Sequence, residues 1–319
     1  MSVAMPTLRR LAVLAVAGAM STVVSPAGSV AGEPPVGTTV QPPARSAPGF
    51  VFQHGLFAPL EPVRRAAATA HIANNDRGQI AGSYFGADGM SHGFVRSEQV
   101  VERFDVRDAA IEYPAGLNNS GEVVGFYQKA DGTLHGFQRD RAGEIVTIDV
   151  QGNTGLFDIN DRGQVVGAYD YVANSGHGFV RGPQDKVTTI DVPGAGITIA
   201  TGINNRGQVV GGYVDAGAEQ NPDGTFPLGS VHGFLWREGK LIRFDVPGAT
   251  QTAALGINDR GQISGEYADA RGRQRGFVLY RGRTTTIDAP CRAGNVAWGI
   301  NDRGEIVVPE PGTGLLGLG

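Results

Sequence analysis

The amino-acid sequence predicts an all-β fold, a six-bladed β-propeller built from four-stranded repeats of about 43 residues. Three observations carry this. A turn motif, Asn75-Asp76-Arg77-Gly78, recurs at Asn118, Asn160, Asn204, Asn258 and Asn301, with spacings of 43, 42, 44, 54 and 43 residues. A fixed series of short apolar segments follows the first five copies, and none keeps a helical period over three turns. The two ends of the repeat region are complementary half-repeats, as a closed ring requires.

Each repeat reads as four strands, a to d. Strand a runs into the Asn-Asp turn, whose fourth residue is glycine because a left-handed backbone there would strain any side chain. Strand b follows, a short apolar stretch ending in Gly-x-Tyr, as in Gly82-Ser83-Tyr84 and Gly167-Ala168-Tyr169. Five of the eight tyrosines occupy this slot, which marks it as structural. Asp88-Gly89 and Asp131-Gly132 supply the next turn. Strand c opens on His-Gly-Phe at His92, His135, His177 and His232, with Arg275 in the fifth copy. Strand d closes on Asp105, Asp149, Asp191, Asp245 or Asp288, and Val-Pro-Gly-Ala at 192–195 and 246–249 breaks the chain before the next unit. Small residues in strand a, at 66–70 and 199–202, suit a crowded central axis. A β-solenoid is the alternative, but its coils are shorter and lack this four-part pattern.

Residues 49–308 hold five complete repeats, a leading c–d half and a trailing a–b half. Ring closure predicts that 49–53 and 305–308 meet, either paired within one split sheet or placed in adjacent blades. The long interval carries an insertion, 216–230, whose Asn221-Pro222-Asp223-Gly224 predicts a surface loop decorating one face.

The flanks read differently. Arg9 and Arg10, the apolar stretch 11–24 and the small-residue site Ser29-Val30-Ala31 predict an export signal over 1–31. A disordered Pro/Gly/Thr-rich leader is expected over 32–48. The net charge of −4, with no basic cluster, argues against nucleic acid as a partner, and no stable membrane span is expected in the mature chain. Cys291 is the only cysteine, so stability rests on packing rather than a disulfide.

These repeats resemble the HAF-type extracellular repeat family of bacteria, with its Asn-Asp-x-Gly-Gln-Val-Val-Gly and His-x-Phe segments, over about residues 49–308. Arg275 and Asn74 depart from the pattern. The resemblance implies an extracellular repeat protein and transfers no activity. Val308-Pro309-Glu310-Pro311 resembles the start of a PEP-CTERM sorting signal, in which an apolar helix and basic tail follow. Residues 309–319 lack both, so this tail reads as a truncated signal and the localisation as secreted.

No catalytic, cofactor-binding or metal-binding set is predicted. The four histidines fall in four different repeats and cannot meet around one zinc at bond lengths of about 2.0–2.1 Å; each is expected to bond a local carboxylate or carbonyl. Five equivalent aspartates suit a strand-end role, whereas catalysis needs differently tuned acids. Glu112, Asp158 and Glu266 are singular, but no spacing connects them. The Asn-Asp turns lack the ligand count of a calcium loop. Two functions remain: a non-enzymatic binding or matrix protein, with extracellular polysaccharide or a surface protein as partner, and a carbohydrate-active hydrolase using unrepeated carboxylates on one face. The second requires unrepeated acids and aromatics gathered at the axis.

Overall fold

The Asn-Asp turn closes as its chemistry demands. Gly78 sits at φ +75°, its N–H donates to Asn75 O at 3.2 Å, and Asn75 N–H donates to Gln79 O at 3.2 Å. The same pair of bonds recurs in the other five copies. The computed structural model describes residues 49–309 except 61–62, 65, 67, 89, 99, 173–174, 222–225 and 289–295. The export signal, the leader, Cys291, most of the C-terminal tail and the tip of the 216–230 insertion lie outside the described residues.

The fold is an all-β propeller. Repeat 1 comprises Ala68–Asn74, Gln79–Phe85, Ser91–Ser97 and Val100–Phe104 as strands a to d. Repeat 2 follows as Ile111–Leu117, Val123–Gln128, Leu134–Arg139 and Ile145–Ile148, and repeat 3 as Thr154–Ile159, Val165–Val172, Ser175–Arg181 and Val187–Ile190. Repeat 4 is Ala195–Ile203, Val209–Asp215, Val231–Arg237 and Lys240–Phe244; repeat 5 is Gln251–Ile257, Ile263–Ala268, Gln274–Tyr280 and Arg283–Ile287. Each repeat is an antiparallel meander whose strand a neighbours the strands a beside it around the axis.

Ring closure takes the split-sheet form. Phe50–Gln53 pairs antiparallel with Ile306–Val308, in register Phe50↔Val308, Val51↔Val307 and Phe52↔Ile306, and Leu56–Pro59 completes the sheet as its outer strand. Strand a of this unit is reduced to backbone bonds: Trp298 N–H donates to Val307 O at 2.9 Å, and Val307 N–H to Gly299 O at 3.0 Å.

The expectation of six separate four-stranded blades is corrected. Hydrogen bonding yields five sheets: three of four strands, one of three and one of eight. The eight-stranded sheet holds repeats 3 and 4, which a single parallel bridge, Gly176↔Ile197, joins. Strand a of repeat 4 is the longest of its kind, nine residues, and its early start at Ala195 brings it beside strand c of repeat 3.

One repeated glycine, in strand b, is required by close approach rather than by turn geometry. A Cβ on Gly211 would lie 1.9 Å from Ile199 O, and Gly125, Gly167 and Gly265 face the same contact with strand a. The space in front of each is filled by the phenylalanine of His-Gly-Phe. Phe94, Phe137, Phe179, Phe234 and Phe277 are all wholly buried, each burial being worth about 1.5–3 kcal/mol.

The axis is not lined by small residues alone. A register shift interrupts strand a in each of the first five repeats, between Leu156 and Asp158 for example. Such a bulge re-aims one side chain. Ile72, Phe157, Leu255 and Trp298 join one buried apolar cluster there. Five strands a and the 298–300 segment around an axis leave a hole that small side chains alone would not fill. The insertion also departs from expectation. Leu228 is exposed, but Ala218 and Phe226 pack against this axial cluster, and Gln251 Nε2 donates to the main-chain oxygens of Phe226 and Pro227.

Candidate functional site

The six Asn-Asp turns converge on one face, and their side chains form two closed rings. Asn75, Asn118, Asn160, Asn204, Asn258 and Asn301 are buried. Each Oδ1 accepts the amides two and four residues on, as Asn75 does from Arg77 and Gln79 at 3.0 Å. Each Nδ2 donates to its own repeat's Gln or Glu and to the next repeat's Asn carbonyl. The cycle closes with Asn301 Nδ2 on Asn75 O at 3.0 Å.

The second ring is Asp76, Asn119, Asp161, Asn205, Asp259 and Asp302. Each backbone N–H donates to the next side chain in the cycle, ending with Asp302 N–H on Asp76 Oδ1 at 2.7 Å. Asn119 and Asn205 each bridge two flanking carboxylates through Nδ2. Among the described residues, no side-chain amide lies between Asp259 and Asp302 or between Asp302 and Asp76. Burial, and then its two carboxylate neighbours, raise the Asp302 pKa from its ordinary value against the pull of the Asp259 amide.

Beneath the rings lies an axial cavity of about 80 Å³, enough for a few waters. Leu117, Ile159, Ile203, Ile257 and Ile300 line it, with Asn74 in the corresponding place of repeat 1. One layer deeper, five repeats present alanine or glycine and the third presents Asp158. Adjacent backbones nearly touch there, for a Cβ on Gly116 would lie 2.6 Å from Asp158 Cα. The Asp158 carboxylate accepts from Ile159 N–H and, across the repeat boundary, from Ile203 N–H, both at 2.9 Å. Burial pushes its pKa up to about 7 against the pull of those two amides.

The repeated histidines and aspartates pair with each other. His92, His135, His177 and His232 bond Asp105, Asp149, Asp191 and Asp245 through Nδ1 at 2.6 to 3.0 Å. Each imidazole stacks on its repeat's tyrosine, with centroids 5.0 to 5.3 Å apart. Arg275 makes the equivalent ion pair with Asp288. For His92, burial opposes the charge, but the Asp105 and Asp88 carboxylates outweigh it and raise the pKa.

The singular acids are not brought together. Glu112 is buried in repeat 2, accepting from Gly93 N–H and from Val106 N–H. Thr154, Thr198 and Thr252 hold the equivalent valine amides in other repeats. Burial pushes Glu112 to about 7 against its two amide donors. Glu266 is buried in repeat 5 against Gln274. Their partners form separate sets, and of the three only Asp158 lines the axis. The axial aromatics Phe157 and Trp298 are buried in the plug beneath it. Among the described residues, no group of three His, Cys, Asp or Glu is placed to hold a metal ion.

A larger recess, about 570 Å³, lies between the first two repeats. Asp105, Arg107 and Asp108 line it from the linker, Tyr127 and Lys129 from the end of strand b, and Thr147 from strand d. Sequence reasoning singled out only Asp105 here by number, together with the Gly-x-Tyr slot that Tyr127 occupies. A signal was present nonetheless: strand d ends Arg-Phe-Asp in repeats 1 and 4 but Thr-Ile-Asp in repeats 2, 3 and 5.

No protein-family model and no curated protein matches the chain. Solved structures similar to it include AofleA from Arthrobotrys oligospora, at 16% identity and TM-score 0.46, covering 76% of this chain and 77% of that one. The β-propeller domain of the Trilobed protease from Pyrococcus furiosus is similar at 13% identity and TM-score 0.47, covering 73% and 76%. The six-bladed fungal lectin of Aleuria aurantia is similar at 11% identity and TM-score 0.41, covering 69% and 78%. At these identities the likeness concerns the fold alone.

Proposed function

We propose that this chain is an exported, non-enzymatic binding protein that presents ligand-binding surfaces on a closed β-propeller. One observation carries the reading: where the six repeats converge, their polar side chains are spent on holding the repeats to one another. The inner ring asparagines make every bond their amides allow, and the outer ring ties each turn to the next. The three unrepeated acids stand apart, so no pair is set up for general acid and base work. Export and an extracellular location, on the N-terminal signal and the HAF-type repeats, belong to this proposal, with polysaccharide or a surface protein as the partner class.

A second reading has one observation in its favour. Asp158 is an unrepeated axial carboxyl titrating at about 7, a value suited to a general acid. A glycan array paired with a screen for released reducing ends separates the two. Binding without release supports the binding protein. Release that is lost in Asp158→Asn supports the hydrolase and overturns the first reading.

A further inference from the structure

The recess between repeats 1 and 2 lies beside Thr147 of strand d, where repeats 1 and 4 carry an arginine. In repeat 1, Arg103 lies over the Tyr84 ring, 5.3 Å from its centroid, and donates to the main-chain oxygen of Arg64 in the preceding linker. In repeat 4, Arg243 lies over Tyr213 and donates to the main-chain oxygen of Pro193. Both arginines span from tyrosine to linker. In repeat 2 the residue is Thr147, which only reaches Tyr127 Oη, at 3.1 Å. In repeat 3 it is Thr189, but Gln151 of the linker bonds Asp170 across the corresponding space. Repeat 2 has neither bridge, and the recess of about 570 Å³ falls within the usual small-molecule range of about 300–1,000 Å³.

Its lining is charged on both signs. Lys129 stands where the other repeats place Gly86, Tyr171, Asp215 and Asp269. Arg107-Asp108 stands where two other linkers carry Pro193-Gly194 and Pro247-Gly248. Asp108 adopts φ +63°, the conformation glycine holds at 194 and 248, so a charged side chain is kept where the backbone favours none. The side chains of Arg107, Asp108 and Lys129 make no hydrogen bond or ion pair among the described residues. Asp105 is shared with His92 and keeps a second oxygen for a ligand.

We propose that this recess is a binding site for a saccharide bearing carboxylates, an oligouronate. Arg107 offers a planar fork and Lys129 a point charge for the carboxylate. Asp105 and Asp108 accept from ring hydroxyls, and Thr147 adds a hydroxyl of its own. A neutral sugar leaves both cations unpaired, and a small inorganic anion lacks the array of ring hydroxyls that two carboxylates can accept from. The inference deepens the binding reading and rests on it.

Isothermal titration of the full chain with trigalacturonate, with galactotriose and with inorganic phosphate tests it. Trigalacturonate is expected to bind at least about tenfold more tightly than galactotriose, the worth of one charge-assisted hydrogen bond. Arg107→Ala and Lys129→Ala are each expected to weaken it by about tenfold. Thr147→Arg copies repeats 1 and 4 and is expected to fill the recess, losing binding with an unchanged unfolding midpoint. Equal affinity for galactotriose, binding of phosphate as tight as trigalacturonate, or undiminished binding by Thr147→Arg overturns the assignment. If the glycan array shows other ligands whose binding ignores these variants, this site fails while the binding reading stands. Release of reducing ends overturns that reading whatever the variants do.

Discussion

Asn301 donates its side-chain amide to the main-chain oxygen of Asn75 at 3.0 Å, across 226 residues of sequence. This is the same bond that Asn75 makes to Asn118, at 2.9 Å, between neighbouring repeats. One repeating interaction therefore both stacks consecutive repeats and closes the ring.

Asn301→Ala removes three side-chain roles at once: the donor to Asn75, the donor to Glu305 and the acceptor for the Arg303 and Glu305 amides. With buried amides left unpaired, the expected loss is about 2–4 kcal/mol, one to two net hydrogen bonds plus desolvation. Urea unfolding measures it. Asn160→Ala, the same change away from the closure, is expected to cost as much. A large excess at Asn301 would mean the ring is weakest at its seam.

Deleting residues 49–53 takes away the middle strand of the closing sheet, exposing both Ile306–Val308 and Leu56–Pro59. Unpaired edges are templates for association. The variant is expected to self-associate and to lose hydrogen-exchange protection first in 296–308. Light scattering and exchange mass spectrometry check this; a monomer with native protection in that segment would contradict it.

Gly211→Ala should be far more damaging than Gly217→Ala. At Gly211 the new methyl would lie 1.9 Å from Ile199 O, whereas Gly217 at φ +83° has open space around its Cβ. Overpacking at the first site is expected to cost about 3 kcal/mol or more. Left-handed strain at the second is expected to cost about 1–2 kcal/mol. Thermal midpoints of the two variants provide the comparison.

Stability is expected to peak in mild acid. Burial raises Asp158 from 3.8 and Glu112 from 4.5, both to about 7. Partner carboxylates raise His92 above 6.5 against its burial. In each case the folded state binds its proton more tightly than the unfolded state. The associated stability is complete below the unfolded pKa and is lost as pH rises through the folded one. On the acid side, Asp269 is held down at about 2, its partial burial outweighed by bonds from Arg273 and Arg271. Met90 and His92 hold down Asp88. That stability is lost as pH falls below 3.8. Urea midpoints should therefore fall from about pH 5 to pH 8. Combining Asp158→Asn with Glu112→Gln should flatten the slope, leaving the parts due to Asp302 and His92.

The sequence alone determined the repeat, its four-strand pattern, the glycine at each turn and the complementary ends that imply a ring. These follow from local chemistry: turn propensity, period-two patterning and the positions where only glycine fits. It also carried a local polar partner for each repeated histidine, but not that the partner is the aspartate closing strand d, which lies 13 or 14 residues on. Only the tertiary structure decided what depends on distance between repeats. The two side-chain rings join residues 42 to 226 positions apart, and no local rule says that Asn301 faces Asn75. The merging of repeats 3 and 4, and the docking of Phe226 on the axis, turn on how far one strand or loop reaches over a neighbour. Asp158 reads in sequence as an isolated acid, and Arg107 and Lys129 as ordinary surface charges. Burial at the axis gives Asp158 its raised pKa. The recess at Arg107 and Lys129 is lined by Thr147, two strands from Lys129, where repeats 1 and 4 place an arginine that spans from tyrosine to linker.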